Sequence, residues 1–214
     1  MEPQPRKYTL KEILFLPIGC ALQAPYIPVL ILLGTILFAS FIAYKSLNFD
    51  PFHLWTRNYP DYSLSEDLSL MRDPNGYYWE ISYEGNPGST FTGIVRHISP
   101  DEEPVVPMLT YDILVTNGDY ADPKLVRTTV VNHMFAWQGL SSTQPQGKIN
   151  LLHTVAKNYD VFAELRDIQN GDIVQIRGIE IYKIDAYDPM GNSLGYWIDQ
   201  GCNTILVTEV EIQD

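Results

Sequence analysis

The sequence predicts a mainly β protein: one N-terminal transmembrane helix followed by a small OB-like antiparallel β-barrel domain with one short helix. A β-sandwich is the alternative. Three observations lead there. Residues 26–44, YIPVLILLGTILFASFIAY, carry no charge. From residue 77 onward, short runs rich in β-branched and aromatic residues alternate with Gly, Pro, Asn and Asp turn signals. Aromatics make up 12% of the chain, led by 14 Tyr, which suits half-buried pleated surfaces.

Taken in order, residues 1–25 read as a cytoplasmic, interfacial segment. Arg6, Lys7 and Lys11 precede the apolar stretch and only Lys45 closely follows it, so the positive-inside rule puts the N-terminus in the cytoplasm. The charge-free region begins at Ile13 and runs to Tyr44, about 48 Å as one helix and too long for one upright span. Pro25 and Pro28 divide it, so the span is expected at 26–44, where nineteen residues rise about 28 Å. The span reads as an uncleaved signal-anchor. It predicts a bacterial inner-membrane protein with its C-terminal domain in the periplasm and the lipid bilayer as a partner.

Residues 45–76 read as a Pro-rich juxtamembrane linker. Phe49, Phe52, Trp55, Tyr59 and Tyr62 make it too aromatic for a free tether, and they are expected to pack against the membrane surface, the domain or another subunit, as partner contacts. Residues 77–214 form the β-rich domain. Strands are expected at 77–83, 91–98, 109–116, 124–137 and 149–155. A helix follows, capped by Asn158 or Asp160, with Val161, Phe162, Leu165 and Ile168 at helical spacing and Gly171 at its end. The strongest strand is 173–184, with Gly178 in its middle where a curved barrel strand bends. Two more are expected at 194–198 and 204–212.

Net charge is −12, and residues 45–214 hold 11 Lys and Arg against 24 Asp and Glu. Such a domain is expected to repel phosphate backbones, so nucleic acid is set aside as a partner. The two cysteines, Cys20 and Cys202, are too distant in sequence for an internal disulfide to be expected and show no Cys-x-x-Cys spacing. Of the four histidines, His53, His97, His133 and His153, none belongs to a metal-spacing motif, though His133 and His153 can meet across strands. No nucleophile motif is present, and Cys202 reads as a small buried residue rather than a catalytic one. Asp101, Glu102 and Glu103 read as a solvated loop tip, and Asp119 and Asp122 as turn residues. No catalytic residue, cofactor or resident metal is expected.

Several stretches resemble a known group. They are Tyr111-Asp112-x-x-Val115-x-x-Gly118-x-x-Ala121-Asp122-Pro123, Met134-Phe135-Ala136-Trp137, His153-Thr154-Val155-Ala156-Lys157-Asn158 and Gly171-Asp172-x-Val174-x-Ile176-x-Gly178. Their order and spacing are similar to a group of uncharacterised proteins of Gram-negative bacteria with one N-terminal transmembrane helix and a β-rich outer domain. The resemblance implies architecture and no activity. The expected function is a non-enzymatic accessory, assembly or stabilising subunit of a membrane or periplasmic complex. The alternative is a ligand- or metal-binding or chaperone module using the barrel mouth with His133 and His153.

Overall fold

The structure is a computed structural model that describes residues 32–36, 38, 59, 61–86, 88–101, 103–199 and 201–213. The chain divides into two units, Met1–Arg57 and Asn58–Asp214. In the first, residues 32–36 and 38 are helical and exposed, with Thr35 Oγ1 donating to the carbonyl of Leu32 at 2.9 Å. The rest of the expected span lies outside the described residues, as do the interfacial segment and Phe49, Phe52 and Trp55. Among the described residues, no helix is long and apolar enough to cross a membrane.

The second unit is mainly β. Its strands are β1 (Ser63–Leu64), β2 (Leu70–Arg72), β3 (Tyr78–Tyr83), β4 (Ser89–Pro100), β5 (Leu109–Thr116), β6 (Val126–Val131) and β7 (Met134–Gly139). They continue with β8 (Ile149–Ala156), β9 (Ile173–Tyr187), β10 (Ser193–Ile198) and β11 (Asn203–Gln213). The α-helix α1 (Tyr159–Asp167) lies between β8 and β9, and a short 3-10 helix covers Gly118–Ala121 between β5 and β6.

Five strands close a barrel in the order β4-β5-β8-β11-β9, with β9 pairing back to β4. Four of its pairings are antiparallel, but β8 and β11 run parallel, Asn203 facing Leu152 and Val207 facing Ala156. The expectation of a wholly antiparallel barrel is corrected there. The reason is connective: α1 and two further strands separate β8 from β11, which supplies the long crossover that a parallel pair needs. A five-stranded barrel with one parallel pair and a helix between its third and fourth strands has OB-like topology.

β9 belongs to two layers. Ile173–Ile94 and Gly178–Ser89 bound its pairing with β4, whereas its later half, from Ile181 to Tyr187, pairs with β3 on one side, and residues from Lys183 to Tyr187 pair with β10 on the other. The change of partner falls just after Gly178. A Cβ there would lie 2.2 Å from the carbonyl oxygen of Leu206, so only glycine lets β9 and β11 approach this closely. β2 and β1 extend the second layer beyond β3. Both fall in the stretch expected to be linker, so the compact unit begins at Asn58 rather than at 77. The short strands Ser63–Leu64 and Leu70–Arg72 give too little alternation to be legible alone.

Two clusters form the core. Tyr111, Ile113, Val115, Leu152, Val174, Ile176, Ile205 and Val207 fill the barrel, and Val161, Phe162 and Leu165 of α1 close one end. Asn158 caps α1, its side chain accepting from Val161 N at 3.0 Å. The second cluster packs Met71, Trp79, Ile81, Ile181 and Ile184 against Val155 and Leu206 on the outer wall.

The remaining pair, β6 and β7, was expected as one strand over 124–137. It is a hairpin with its own two-stranded sheet. Val131 faces Met134, and Asn132 and His133 between them have φ of 50° and 60°. A two-residue turn with both central φ positive is the type I′ form, whose twist matches the strands it joins. Asn132 is the local signal for it, since Asn tolerates the left-handed region.

Candidate metal centre

β5 is buried along its whole length. Alternation sends Tyr111, Ile113 and Val115 into the barrel, so Asp112 lies on the outer wall. On β8 the same logic puts Leu152 inside and His153 outside. Asp112 and His153 face one another directly across the β5–β8 pair and are 4% and 3% exposed. His153 Nδ1 lies 2.6 Å from Asp112 Oδ1.

His133 reaches the same carboxylate from the β6–β7 turn, its Nδ1 3.0 Å from Asp112 Oδ2. It also lies 3.7 Å from Oδ2 of Asp101, which follows the last residue of β4 and is 1% exposed. An ionised carboxylate only accepts, so each imidazole presents its Nδ1–H to Asp112 in this arrangement. Together Asp101, Asp112, His133 and His153 each offer one donor atom, and all four atoms lie within 4.8 Å of one another.

The surroundings hold this group in place. The ring of Trp197 on β10 stands edge-on to both imidazoles, with centroids 5.5 Å from His133 and 5.2 Å from His153. Trp197 is itself tied, its Nε1 donating to Thr204 Oγ1 at 2.9 Å. Thr204 is the residue of β11 that faces His153, so the cluster's floor spans three strands. The base of the hairpin is secured by Arg96, which donates to the carbonyls of Tyr120 at 2.9 Å and Val126 at 3.1 Å. Trp137 packs edge-on to Tyr120 at 5.3 Å. Arg96 sits where the β4–β5 register shifts, and such a bulge re-aims a side chain.

His133 and His153 are therefore brought together, with ring centroids 5.5 Å apart. They meet on the outer wall and not at the barrel mouth, because the inward positions of β5 and β8 are already filled by Ile113 and Leu152. Asp101 is no solvated tip: it turns inward to His133. Asp112 carries no ligand motif in the sequence, and its one signal there is that a carboxylate inside an apolar strand must find a partner. Asp122 acts in a turn, accepting from Lys124 N, whereas Asp119 lies in a 3-10 turn over Gly118–Ala121 and accepts from the distant Gln146 N. His97 bonds Ser99 Oγ through Nε2 at 3.0 Å; burial lowers its pKa against a raising effect of Asp112. His53 lies outside the described residues.

Cys202 Sγ donates to the carbonyl oxygen of His133 at 3.6 Å. Burial pushes the thiol's pKa up, and Asp199 and Asp112 push it further, which disfavours a thiolate nucleophile. Of the expected contact residues, Tyr59 packs on Phe162 at 5.2 Å and Tyr62 on Trp79 at 5.3 Å, so both serve the domain's own packing.

No protein-family description matches the chain, and no curated protein is similar to it. Among solved structures, it is similar to the crystal structure of Rim1, a mitochondrial single-stranded DNA-binding protein from S. cerevisiae. The identity is 4%, the match covers 62% of this chain and 96% of that one, and the TM-score is 0.25. The expectation that nucleic acid is excluded is corrected: the acidic total on which it rests is a property of the whole chain. A net charge summed over a chain does not fix the potential in any one groove.

Proposed function

We propose that the domain is a metal-binding module that takes one divalent cation between His133, His153, Asp112 and Asp101. The carrying observation is the convergence of four donor groups, from three barrel strands' ends or faces and a hairpin turn, to within 4.8 Å. Charge supports the reading. Two carboxylates that are 1% and 4% exposed face two imidazoles. With neutral imidazoles, a divalent ion balances both carboxylates, and buried charges need that balance.

Distance supports it as well. Ligands held at zinc-like bond lengths of about 2.0–2.1 Å in a tetrahedron stand about 3.3 Å apart. Three of the donor-to-donor distances here are 2.6, 3.0 and 3.7 Å, and all lie within 4.8 Å, so side-chain adjustments bring the group to the spacing an ion needs. The same atoms form a hydrogen-bonded network when the ion is removed, and metal binding would release the protons on the ligating nitrogens.

The test is native mass spectrometry and elemental analysis of the full-length protein after dialysis against divalent metals. One equivalent per chain is expected for the wild type and none for the His153→Ala, Asp112→Ala double variant. Wild-type protein that takes up no stoichiometric metal would refute the reading.

A further inference from the structure

Resting on the metal-binding reading, we infer that the site selects a first-row transition ion of the zinc type over calcium and magnesium, and that the β6–β7 hairpin is the latch that closes on it. The selection follows from the donors. Two imidazoles and two carboxylates make a mixed nitrogen–oxygen set. Calcium takes six to eight oxygens and magnesium keeps an octahedron of oxygens with several waters, whereas imidazole suits zinc and its neighbours.

The latch follows from how the four ligands are mounted. Asp112 and His153 sit on facing positions of two paired barrel strands, β5 and β8, and Asp101 follows β4, its N–H donating to the Thr110 carbonyl of β5 at 3.0 Å. These three are fixed by the barrel. His133 alone stands on the separate two-stranded sheet, at the turn, in a left-handed backbone conformation. The hairpin's base is held by Arg96, by Val126, which is fully buried, and by the Tyr120–Trp137 contact. Near the turn, Val131 and Met134 are 60% and 68% exposed, so apolar packing does little to hold it there. The tip instead touches the barrel side through His133, by way of Asp112, Asp101 and Trp197, and through its carbonyl to Cys202.

Access has the same polarity. The His133 side chain is 33% exposed, against 3% for His153, 6% for Asp112 and 0% for Asp101. An ion therefore enters on the His133 side, meets three prepared ligands, and is closed in when the turn comes down. Bound metal and hairpin position are then one equilibrium, and the ion stabilises the docked tip by its own binding energy.

The experiment uses full-length protein with Zn²⁺, Co²⁺, Ca²⁺ and Mg²⁺ offered one at a time, and amide hydrogen exchange of residues 131–134 with and without Zn²⁺. Zn²⁺ should bind at least about 100-fold more tightly than Ca²⁺ or Mg²⁺, and Co²⁺ should give the visible absorption of a four-coordinate site. Exchange at 131–134 should slow on Zn²⁺ loading. His133→Gly suits the positive φ of the turn and removes only the ligand. It should lose about 100-fold in Zn²⁺ affinity and show no slowing. Equal binding of Ca²⁺ or Mg²⁺ overturns the selection and leaves the metal-binding reading standing. Selective Zn²⁺ binding with unchanged exchange and an unchanged His133→Gly affinity overturns the latch alone. Failure of every ion to bind removes the reading and the inference together.

Discussion

Asp112 shows how one buried charge organises a neighbourhood. It accepts from two imidazoles that come from a strand and a turn, at 2.6 and 3.0 Å. Removing it leaves both Nδ1–H groups without their acceptor. Asp112→Ala should therefore cost about 3 kcal/mol in metal-free protein, read from urea unfolding in chelator. Tyr83 gives an independent check on packing. Its hydroxyl donates to the Leu68 carbonyl at 2.7 Å, and burial, then Asp67, raises its pKa to about 12. An unfolded tyrosine ionises near about 10. Above that pH the unfolded chain sheds this proton before the folded one does. Stability intact below pH 10 should then decline as pH climbs toward 12, and Tyr83→Phe should flatten that part of the profile in thermal melts. Of this site, the sequence made His133 and His153 legible as a pair able to meet across strands. It hid Asp101 and Asp112, because their convergence depends on β4 pairing with β5 and β5 with β8, a register no local pattern encodes.

Elements were readable in proportion to their length and periodicity. β5 spans 109–116 as expected, and α1 follows its Asn158 cap. Asn158→Ala should cost about 1 kcal/mol, seen as a lower melting temperature with unchanged sheet content. The β6–β7 hairpin reads as a single strand because its apolar residues continue up to and beyond the turn and neither turn residue, Asn132 nor His133, is the glycine that marks this turn type. β1 and β2 were missed for being two and three residues long. Gly178 was legible as a bend, and its cause is close approach: besides Leu206 O, an added Cβ would meet the Ile205 side chain at 2.7 Å. Gly178→Ala should destabilise by about 3 kcal/mol, because the backbone oxygen has nowhere to move. Equilibrium denaturation will measure it. A cost below 1 kcal/mol would mean that β9 and β11 separate more easily than their pairing implies.

At the scale of the whole molecule, composition carried less than pattern. The acidic total described the exterior but not the site, where carboxylates turn inward against imidazoles. The strand-rich, one-helix layout was visible in the order of turn signals. The parallel β8–β11 contact was not, since relative strand direction leaves no mark on either strand's own sequence. That contact places β11, residues 203–213, between β8 and β9 in the middle of the wall, although it follows both of them along the chain. A ribosome delivers it after both of its neighbours. Until it emerges, β8 and β9 lack a shared neighbour and the barrel stays open, exposing Leu206's future partners to whatever is nearby. Nascent chains stalled before residue 203 should therefore remain protease-sensitive and recruit holding chaperones, and protection should appear in one step once residue 213 clears the exit tunnel.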